Sequence, residues 1–338
     1  MKRALLIGGT RNLGPSIARE LLEAGYSATV LNRGLTAGEL PEAVERLRAD
    51  RSDPAQMKAA LGDREFDVVV DTTLYNAADA RSTVELLSGR VGRYIFISTG
   101  QVYLLRPGLK RPYRELDYAG PIIPAPPRER QFDYENWLYG FDKRGAEDVL
   151  FEAFAKARFP FVTLRLPMVN SERDHFERIQ GYVARLLDGG PILLPEGDHL
   201  MLRHIYGEDV ATAIVKAASA VIEGMVINIS QDDTLTIDGF LSLVGQCVDR
   251  KARTVTLSAD LLESRGIYPD CSPFSEPWMS ELDNSLSKSS LGMTYTPYAE
   301  YLPKIIQSCR QTGRTPAGYA KRSVELELAT RFAQRTKS

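Results

Sequence analysis

The 338-residue sequence predicts an α/β protein, with a doubly wound, mainly parallel sheet and a smaller C-terminal lobe. Three observations predict it. Short apolar runs alternate with helical patterns over the first two-thirds of the chain. Several of those runs are almost continuously apolar, as strands covered on both faces require. The first of them leads directly into a glycine-rich turn, GGTRNLG at residues 8–14, and a helical pattern follows at once. Such alternation carries right-handed crossovers, and hence parallel strands with helices on both faces.

In order, the strand-like runs are residues 3–8, 27–33, 67–72, 93–98, 161–166 and 225–229. Ile17, Leu21 and Leu22 recur at helical spacing after the first run. Val84, Leu86 and Leu87 mark a helix before 93–98, and Val149, Leu150 and Phe154 mark one before 161–166. Two segments break the rhythm. Residues 104–138 hold six of the 19 prolines, many charges, and Tyr113, Tyr118, Phe132, Tyr134 and Trp137. A loop of that length inside a compact domain is usually functional or disordered. It is expected here to cover a bound substrate, with Tyr134 and Trp137 stacking on a flat or ring-shaped group. Beyond residue 230 the periodicity weakens, and Pro, Ser and Tyr cluster over 268–301. The expected division is 1–166 plus 205–230 for the sheet domain, and 167–204 plus 231–338 for the smaller lobe. The end, 313–338, is read either as an amphipathic helix with Val324, Leu328 and Phe332 on one side or as a partly loose tail.

Composition narrows the functional classes. Hydrophobic residues make up 43% of the chain and charged residues 25%, ordinary values for a globular protein. A net charge of −2 offers no general attraction for nucleic acid or an anionic membrane, and neither is expected as a partner. Cys247, Cys271 and Cys309 lie far apart and read as reduced thiols of a cytoplasmic protein. No apolar run reaches the ~18 residues of a membrane span, and the strand-like start does not resemble a signal peptide. His175, His199 and His204 show no ligand spacing, so no protein-bound metal is expected.

The candidate chemistry begins at the glycine turn. A strand–glycine turn–helix unit presents backbone N–H groups and a helix N-terminus to a pyrophosphate. Gly8, Gly9, Thr10, Arg11, Asn12, Leu13 and Gly14 are therefore candidate cofactor contacts in a Rossmann-type site. Gly8 suits the tight turn, and Gly14 suits close packing of helix on strand. The middle glycine of the usual pattern is Arg11. The second strand ends in Asn32 and Arg33, where an acid would hold a ribose hydroxyl and a cation would hold a ribose phosphate. With a neutral Asn32 and two guanidiniums available, NADP(H) is expected in preference to NAD(H), with NAD(H) possible.

Further along, Tyr139 and Lys143 are spaced to share one helix face. An ammonium beside a phenol favours phenolate and suits it to proton transfer at a carbonyl or carbinol oxygen. Upstream, Ser98, Thr99 and Gln101 follow the 93–98 strand, at the sheet edge where parallel folds bind ligands.

Taken together, GGTRNLG, LRADRSD (47–53), YIFISTGQVY (94–103), YGFDK (139–143), LRLPMV (164–169), RHIYGEDVA (203–211) and NISQDDTLT (228–236) resemble the short-chain dehydrogenase/reductase superfamily. The similarity spans residues 1–300 and is to the extended branch, the NAD-dependent epimerase/dehydratase family. Within it, the chain resembles an atypical subgroup with a GGxRxxG turn. The resemblance implies a catalytic trio of Thr99, Tyr139 and Lys143, with Lys143 also on the cofactor ribose. It further implies adenine contacts from Asp50 and Arg51, a cofactor contact from Pro167 and a substrate diphosphate contact from Arg203; Thr72, at the end of the 67–72 run, is a candidate cofactor contact, and Gln101 a candidate substrate contact. It also implies a homodimer built through the helix bearing Tyr139 and its neighbour near 76–90. The chain departs from the family at Arg11, in the 40-position interval from Thr99 to Tyr139, and in lacking Tyr-Gly-Pro after Val169.

The expected function is an NAD(P)(H)-dependent oxidoreductase that transfers hydride at a secondary alcohol or ketone of a small molecule, with Tyr139 as acid/base. One alternative is a nucleotide-sugar epimerase or dehydratase that uses bound NAD(P) within each turnover. Another, from the atypical subgroup, is a non-catalytic nucleotide-sensing or RNA-binding protein.

Overall fold

The computed structural model describes residues 1–36 and 39–335, with side chains to residue 332. The chain forms two compact units, the first comprising Met1–Val169, His204–Gln231 and Ser280–Tyr295. It holds a seven-stranded sheet: β1 (Lys2–Ile7), β2 (Tyr26–Asn32), β3 (Glu45–Arg48), β4 (Phe66–Asp71), β5 (Val91–Thr99), β6 (Phe161–Leu166) and β7 (Met225–Asn228). The spatial order is β7-β6-β5-β4-β1-β2-β3, and every pairing is parallel. Sequential strands run to one side from β1 to β3 and to the other from β4 to β7. The switch therefore falls between β1 and β4, where parallel α/β sheets open a crevice at the strands' carboxyl ends.

Alternation along each strand feeds two cores. Ala4 and Leu6 of β1, Val68 and Val70 of β4, and Ile95 and Ile97 of β5 meet α1 (Gly14–Glu23) through Ile17 and Leu21. Leu5, Ile7, Val69, Tyr94 and Phe96 point the other way. They meet α2 (Pro54–Leu61) through Met57, α3 (Ala77–Leu87) through Ala80 and Leu87, and α4 (Gln131–Ala157) through Ala146 and Leu150. The first face is completed by α5 (Gly207–Ser219), with Val210, Ala213 and Ile214. Burial on both faces explains the near-continuous apolar runs. Each fully buried Leu, Ile, Val or Phe stabilises by about 1.5–3 kcal/mol.

β3 escaped the sequence reading because it is an edge strand. Its residues, Glu45-Arg46-Leu47-Arg48, include three exposed charges, and an edge strand of this kind resists pairing with another chain. Residues 280–295, expected in the smaller lobe, belong with the sheet instead. Leu291 and Met293 lie in the first core, and the backbone at Glu281 and Asp283 pairs with Tyr113 on both sides at 2.8 Å.

The proline-rich stretch is shorter than the expected 104–138, because α4 starts at Gln131 and takes in Tyr134 and Trp137. It is tied down along its length. Besides the Tyr113 pairing, Ile123 N–H donates to the Leu105 carbonyl at 2.7 Å, and the Tyr118 hydroxyl donates to Asp148 at 2.6 Å. The Arg144 guanidinium lies over the Tyr118 ring at 3.8 Å and donates to the Tyr118 carbonyl at 2.8 Å. These bonds tie the stretch as a strap to α4 and to the residues that follow β5.

The second unit comprises Asn170–Arg203, Asp232–Met279 and the residues from Thr296. Helices Arg178–Leu187, Ile237–Val248 and Tyr298–Thr312 pack around Tyr182, Phe240, Phe274 and Tyr298. The C-terminal helix, Arg322–Arg335, places Leu328 in an apolar cluster with Val324 and Phe332 at its border. Its Glu325 forms a fully buried pair with Arg185. Residues 336–338 of the expected amphipathic segment lie outside the described residues.

Two substitutions test the account of the sheet. Leu5→Ala removes a fully buried side chain of a central strand and should cost about 2–5 kcal/mol in urea unfolding. Arg46→Ala on the exposed edge strand should stay within about 0.5 kcal/mol of the parent.

Candidate functional site

The turn after β1 is built on close backbone approach. Gly8 and Gly9 have φ of +97° and +76°, and Asn12 takes a left-handed φ of +46°. A Cβ on Gly14 would sit 2.2 Å from the backbone of Gly9, so only glycine lets α1 begin this close to the strand. A Cβ on Gly8 would meet the Thr72 hydroxyl at 2.4 Å, and that hydroxyl donates to the Ile7 carbonyl at 3.0 Å. Leu13 precedes α1 and supplies no side-chain cap, while Pro15 in the first turn has no N–H to satisfy. This side-chain-free cradle at a helix N-terminus fits a dinucleotide pyrophosphate. Thr10 lies half-buried in the same turn, and Arg11 points to solvent.

At the end of β2, the Asn32 amide spans the turn. It donates to the Gly8 carbonyl at 3.3 Å and accepts from Gly34 N–H at 2.8 Å. Arg33 is exposed, and Arg48 lies against Gly34. Asp50 accepts from both the N–H and the hydroxyl of Ser52, which hold its carboxyl below the usual range, and Arg33 adds to the effect. Arg51 is not free to face a nucleotide. Its guanidinium pairs with Asp71, which is fully buried and also accepts the Tyr94 hydroxyl at 2.8 Å.

The second cluster lies where α4 crosses the end of β5. Thr99, half-buried, accepts Gln101 N–H at 3.2 Å, which leaves its own O–H to donate. The Thr99 hydroxyl favours the ionised form of Tyr139. One helical turn on, Lys143 is 2% exposed and donates to the Ile97 carbonyl at 2.9 Å. Its ammonium nitrogen lies 4.7, 5.0 and 5.9 Å from the ring centres of Phe96, Tyr75 and Tyr139. A turn further, Glu147 is fully buried. It accepts the Ser98 hydroxyl at 2.5 Å and pairs with Arg165, which is itself 1% exposed.

The electrostatics correct one expectation. In the cofactor-free chain, burial outweighs the pull expected of Lys143 on Tyr139. Loss of water around the hydroxyl, reinforced by Tyr75, pushes Tyr139 up to about 12, with the Thr99 hydrogen bond opposing. Lys143 is pushed down to about 7 by burial, against the pull of Asp71 and Glu147. A lysine that deep gives up its charge more readily than it imposes it on a neighbour.

Other expected residues take varied places. Pro167 is buried directly after β6, and Gln101 donates its amide to Asn136 at 2.7 Å. Trp137 is not available to stack on a substrate. It is buried, stacked on Phe141 at 4.8 Å, and its indole N–H donates to the Ile123 carbonyl at 3.1 Å. Tyr134 lies beneath the Arg128 guanidinium at 5.4 Å. Arg203 belongs to the second unit. Tyr75, Asp71, Glu147 and Arg165 went unremarked in the sequence. Two signals pointed to the last pair: Glu147 continues the Tyr139–Lys143 spacing, and Arg165 is a lone cation in an apolar strand.

A glycine cradle at the switch point of a parallel sheet, with a Tyr–Lys helix face at the neighbouring strand end, defines a dinucleotide-binding α/β enzyme. The chain belongs to the NAD dependent epimerase/dehydratase family, whose family model matches residues 4–230. It is accordingly an NAD-dependent enzyme of the oxidoreductase/epimerase kind. It is 24% identical over 263 residues to the 2'-dehydrokanamycin reductase of Streptomyces kanamyceticus, covering 76% of this chain and 70% of that protein. It is 31% identical over 116 residues, 30% of each chain, to the chloroplast stem-loop binding protein of 41 kDa b of Arabidopsis thaliana. Among solved structures it resembles the Bordetella bronchiseptica enzyme WbmH in complex with NAD+, with a TM-score of 0.71 and 21% identity over 93% of this chain and 100% of that one. Among the described residues, no group of three or more His, Cys, Asp and Glu is arranged to hold a metal ion. No described helix is long and apolar enough to cross a membrane.

The depressed Lys143 gives a pH test. From about pH 7 up to the ordinary lysine value, the unfolded chain holds a proton that the folded chain lacks, so stability rises with pH across that window. Lys143→Met should therefore stabilise the cofactor-free chain most below about pH 7, and the gain should shrink towards about pH 10. Urea unfolding at the two ends of the range checks it. A gain independent of pH would contradict the buried-ammonium account.

Proposed function

We propose that this enzyme reduces a ketone of a small polar molecule, with Tyr139 delivering the proton to the oxygen. The observation that carries the reading is the Tyr139–Lys143 face of α4 at the end of β5, with the Lys143 nitrogen 5.9 Å from the Tyr139 ring centre and bonded to the Ile97 carbonyl. With its pKa pushed up to about 12, Tyr139 keeps its proton at working pH, as a donor must. The Thr99 O–H is directed by the Gln101 N–H bond and is placed to hold the same substrate oxygen. The similarity to a 2'-dehydrokanamycin reductase supports a carbonyl on a sugar-like ring as the substrate class.

The residues fit a nicotinamide dinucleotide, which when bound supplies the hydride. Gly8, Gly9 and Gly14 would admit its pyrophosphate, and Thr72 and Pro167 would line the path toward the strand ends. Lys143 would reach its ribose. Arg33, with Arg11, would hold an adenosine 2'-phosphate, and Asn32 adds no negative charge to repel it. The neighbour WbmH is solved with NAD+, so the preference for NADP(H) is the finer part of this proposal.

The family description also admits an epimerase or dehydratase, in which the cofactor is regenerated in each turnover. Stoichiometry separates the two: a reductase consumes one NAD(P)H per product, and an epimerase consumes none. The match to the stem-loop binding protein spans 30% of each chain, and a net charge of −2 does not favour an RNA surface here.

Tyr139→Phe should lower turnover by about 10²–10⁴-fold while NADPH still binds, read by fluorescence titration. Near-full activity in that variant would assign the proton to another group. Arg33→Ala should weaken NADPH about tenfold and leave NADH almost unchanged. Equal weakening of both cofactors would remove the argument for the 2'-phosphate.

A further inference from the structure

We propose that Glu147 is a positioning residue: clamped by Arg165, it holds the end of β5 against α4 through Ser98 and so keeps Thr99, Tyr139 and Lys143 in register. This rests on Tyr139 being the proton donor.

Tyr139, Lys143 and Glu147 follow one another at four-residue spacing and form one stripe of α4. That stripe meets the end of β5. Lys143 donates to the Ile97 carbonyl at 2.9 Å, and Glu147 accepts the hydroxyl of Ser98, the residue before Thr99, at 2.5 Å. Ser98 is therefore held from α4 directly beside Thr99.

Glu147 is itself fixed from the next strand. Arg165 lies directly opposite Ser98 in the β5–β6 register. Its Nε donates to both carboxylate oxygens at 3.1 and 3.2 Å, and Nη2 makes a further close contact. Nη1 donates to the Tyr103 hydroxyl at 2.6 Å, which donates to Asn228 at the end of β7 at 2.8 Å. The clamp thus spans three strands, and every rung reaches a group at their carboxyl ends. For stability alone, well-packed apolar residues serve as well as a buried ion pair. This pair additionally sets where a strand end stops against a helix.

The test uses Ser98→Ala in the full-length chain, which removes the rung and leaves the Glu147–Arg165 pair intact. Two readouts are taken. In the cofactor-free protein, amide exchange over residues 99–104 should speed up while the centre of the sheet stays protected. In NADPH-dependent reduction of phenanthrenequinone, kcat should fall about tenfold while KM for NADPH and the melting temperature hold near the parent values. A parental kcat with parental exchange overturns the proposal. So does a loss of kcat that merely follows a fall in melting temperature. Tyr139→Phe, run alongside, keeps two failures apart. If it turns over the quinone normally, the proton-donor reading falls and takes this proposal with it; if the parent does not accept this quinone, the exchange readout alone decides, and unchanged exchange overturns the proposal. If it is inactive while Ser98→Ala behaves as the parent, only the positioning role falls.

Discussion

The buried pair between Arg165 and Glu147 is the constraint around which the first unit is arranged. Two charges taken out of water are tolerable only when each is matched and the remaining lone pairs and N–H groups are used. Here they are used by Ser98, Tyr103 and, one step on, Asn228. Asn228 in turn donates twice, its backbone N–H to the Glu115 carboxylate at 2.8 Å and its side-chain amide to the Tyr113 carbonyl at 3.0 Å. Breaking one partner of such a pair typically costs about 3–5 kcal/mol, because it strands the other charge. The strap, the strand ends and the long helix are therefore held by one connected set of bonds.

A second buried carboxylate balances the first. Asp71, at the end of β4, gathers Arg51, the Tyr94 hydroxyl and Thr73 N–H. Lys143 is affected by both acids, and each moderates the effect of burial on its charge. The carboxyl edge of the sheet therefore carries two internal anions, yet neither projects as an exposed charge where an anionic nucleotide would approach. Their negative charge is absorbed by Arg51 and Arg165 from within.

Most of the sheet was legible because doubly covered strands must be apolar on both faces. The runs at 67–72, 93–98 and 161–166 and the glycine turn were direct signatures of that burial. β3 was illegible for the opposite reason, since an exposed edge strand needs charge and carries no apolar pattern. At the candidate site, spacing revealed Tyr139 and Lys143 as helix neighbours, but spacing carries no depth. It could not show how deeply Lys143 is buried, and with that depth the direction of the Tyr139 shift came out reversed. Trp137 was misplaced for a similar reason. Prolines upstream marked a loop, while the start of α4 inside that stretch turned the ring toward Phe141. Residues 280–295 gave no sequence sign of belonging to the sheet, because what joins them is scattered: two backbone bonds to Tyr113, the Asn284 amide on the Ser230 carbonyl, and buried side chains such as Leu282, Leu291 and Met293.

The glycine turn separates two requirements that its usual consensus merges. The close contact of Gly14 with Gly9 is a matter of space, and no other residue can meet it. Arg11 stands under no such demand. It is exposed and is not among the residues with positive φ, a conformation taken here by its neighbour Asn12. The Arg11 backbone carbonyl closes the turn by accepting Gly14 N–H at 2.9 Å, a bond that any side chain at this position leaves in place. Charge, size or neutrality can therefore change at the middle position, altering what the turn attracts while its geometry stays the same.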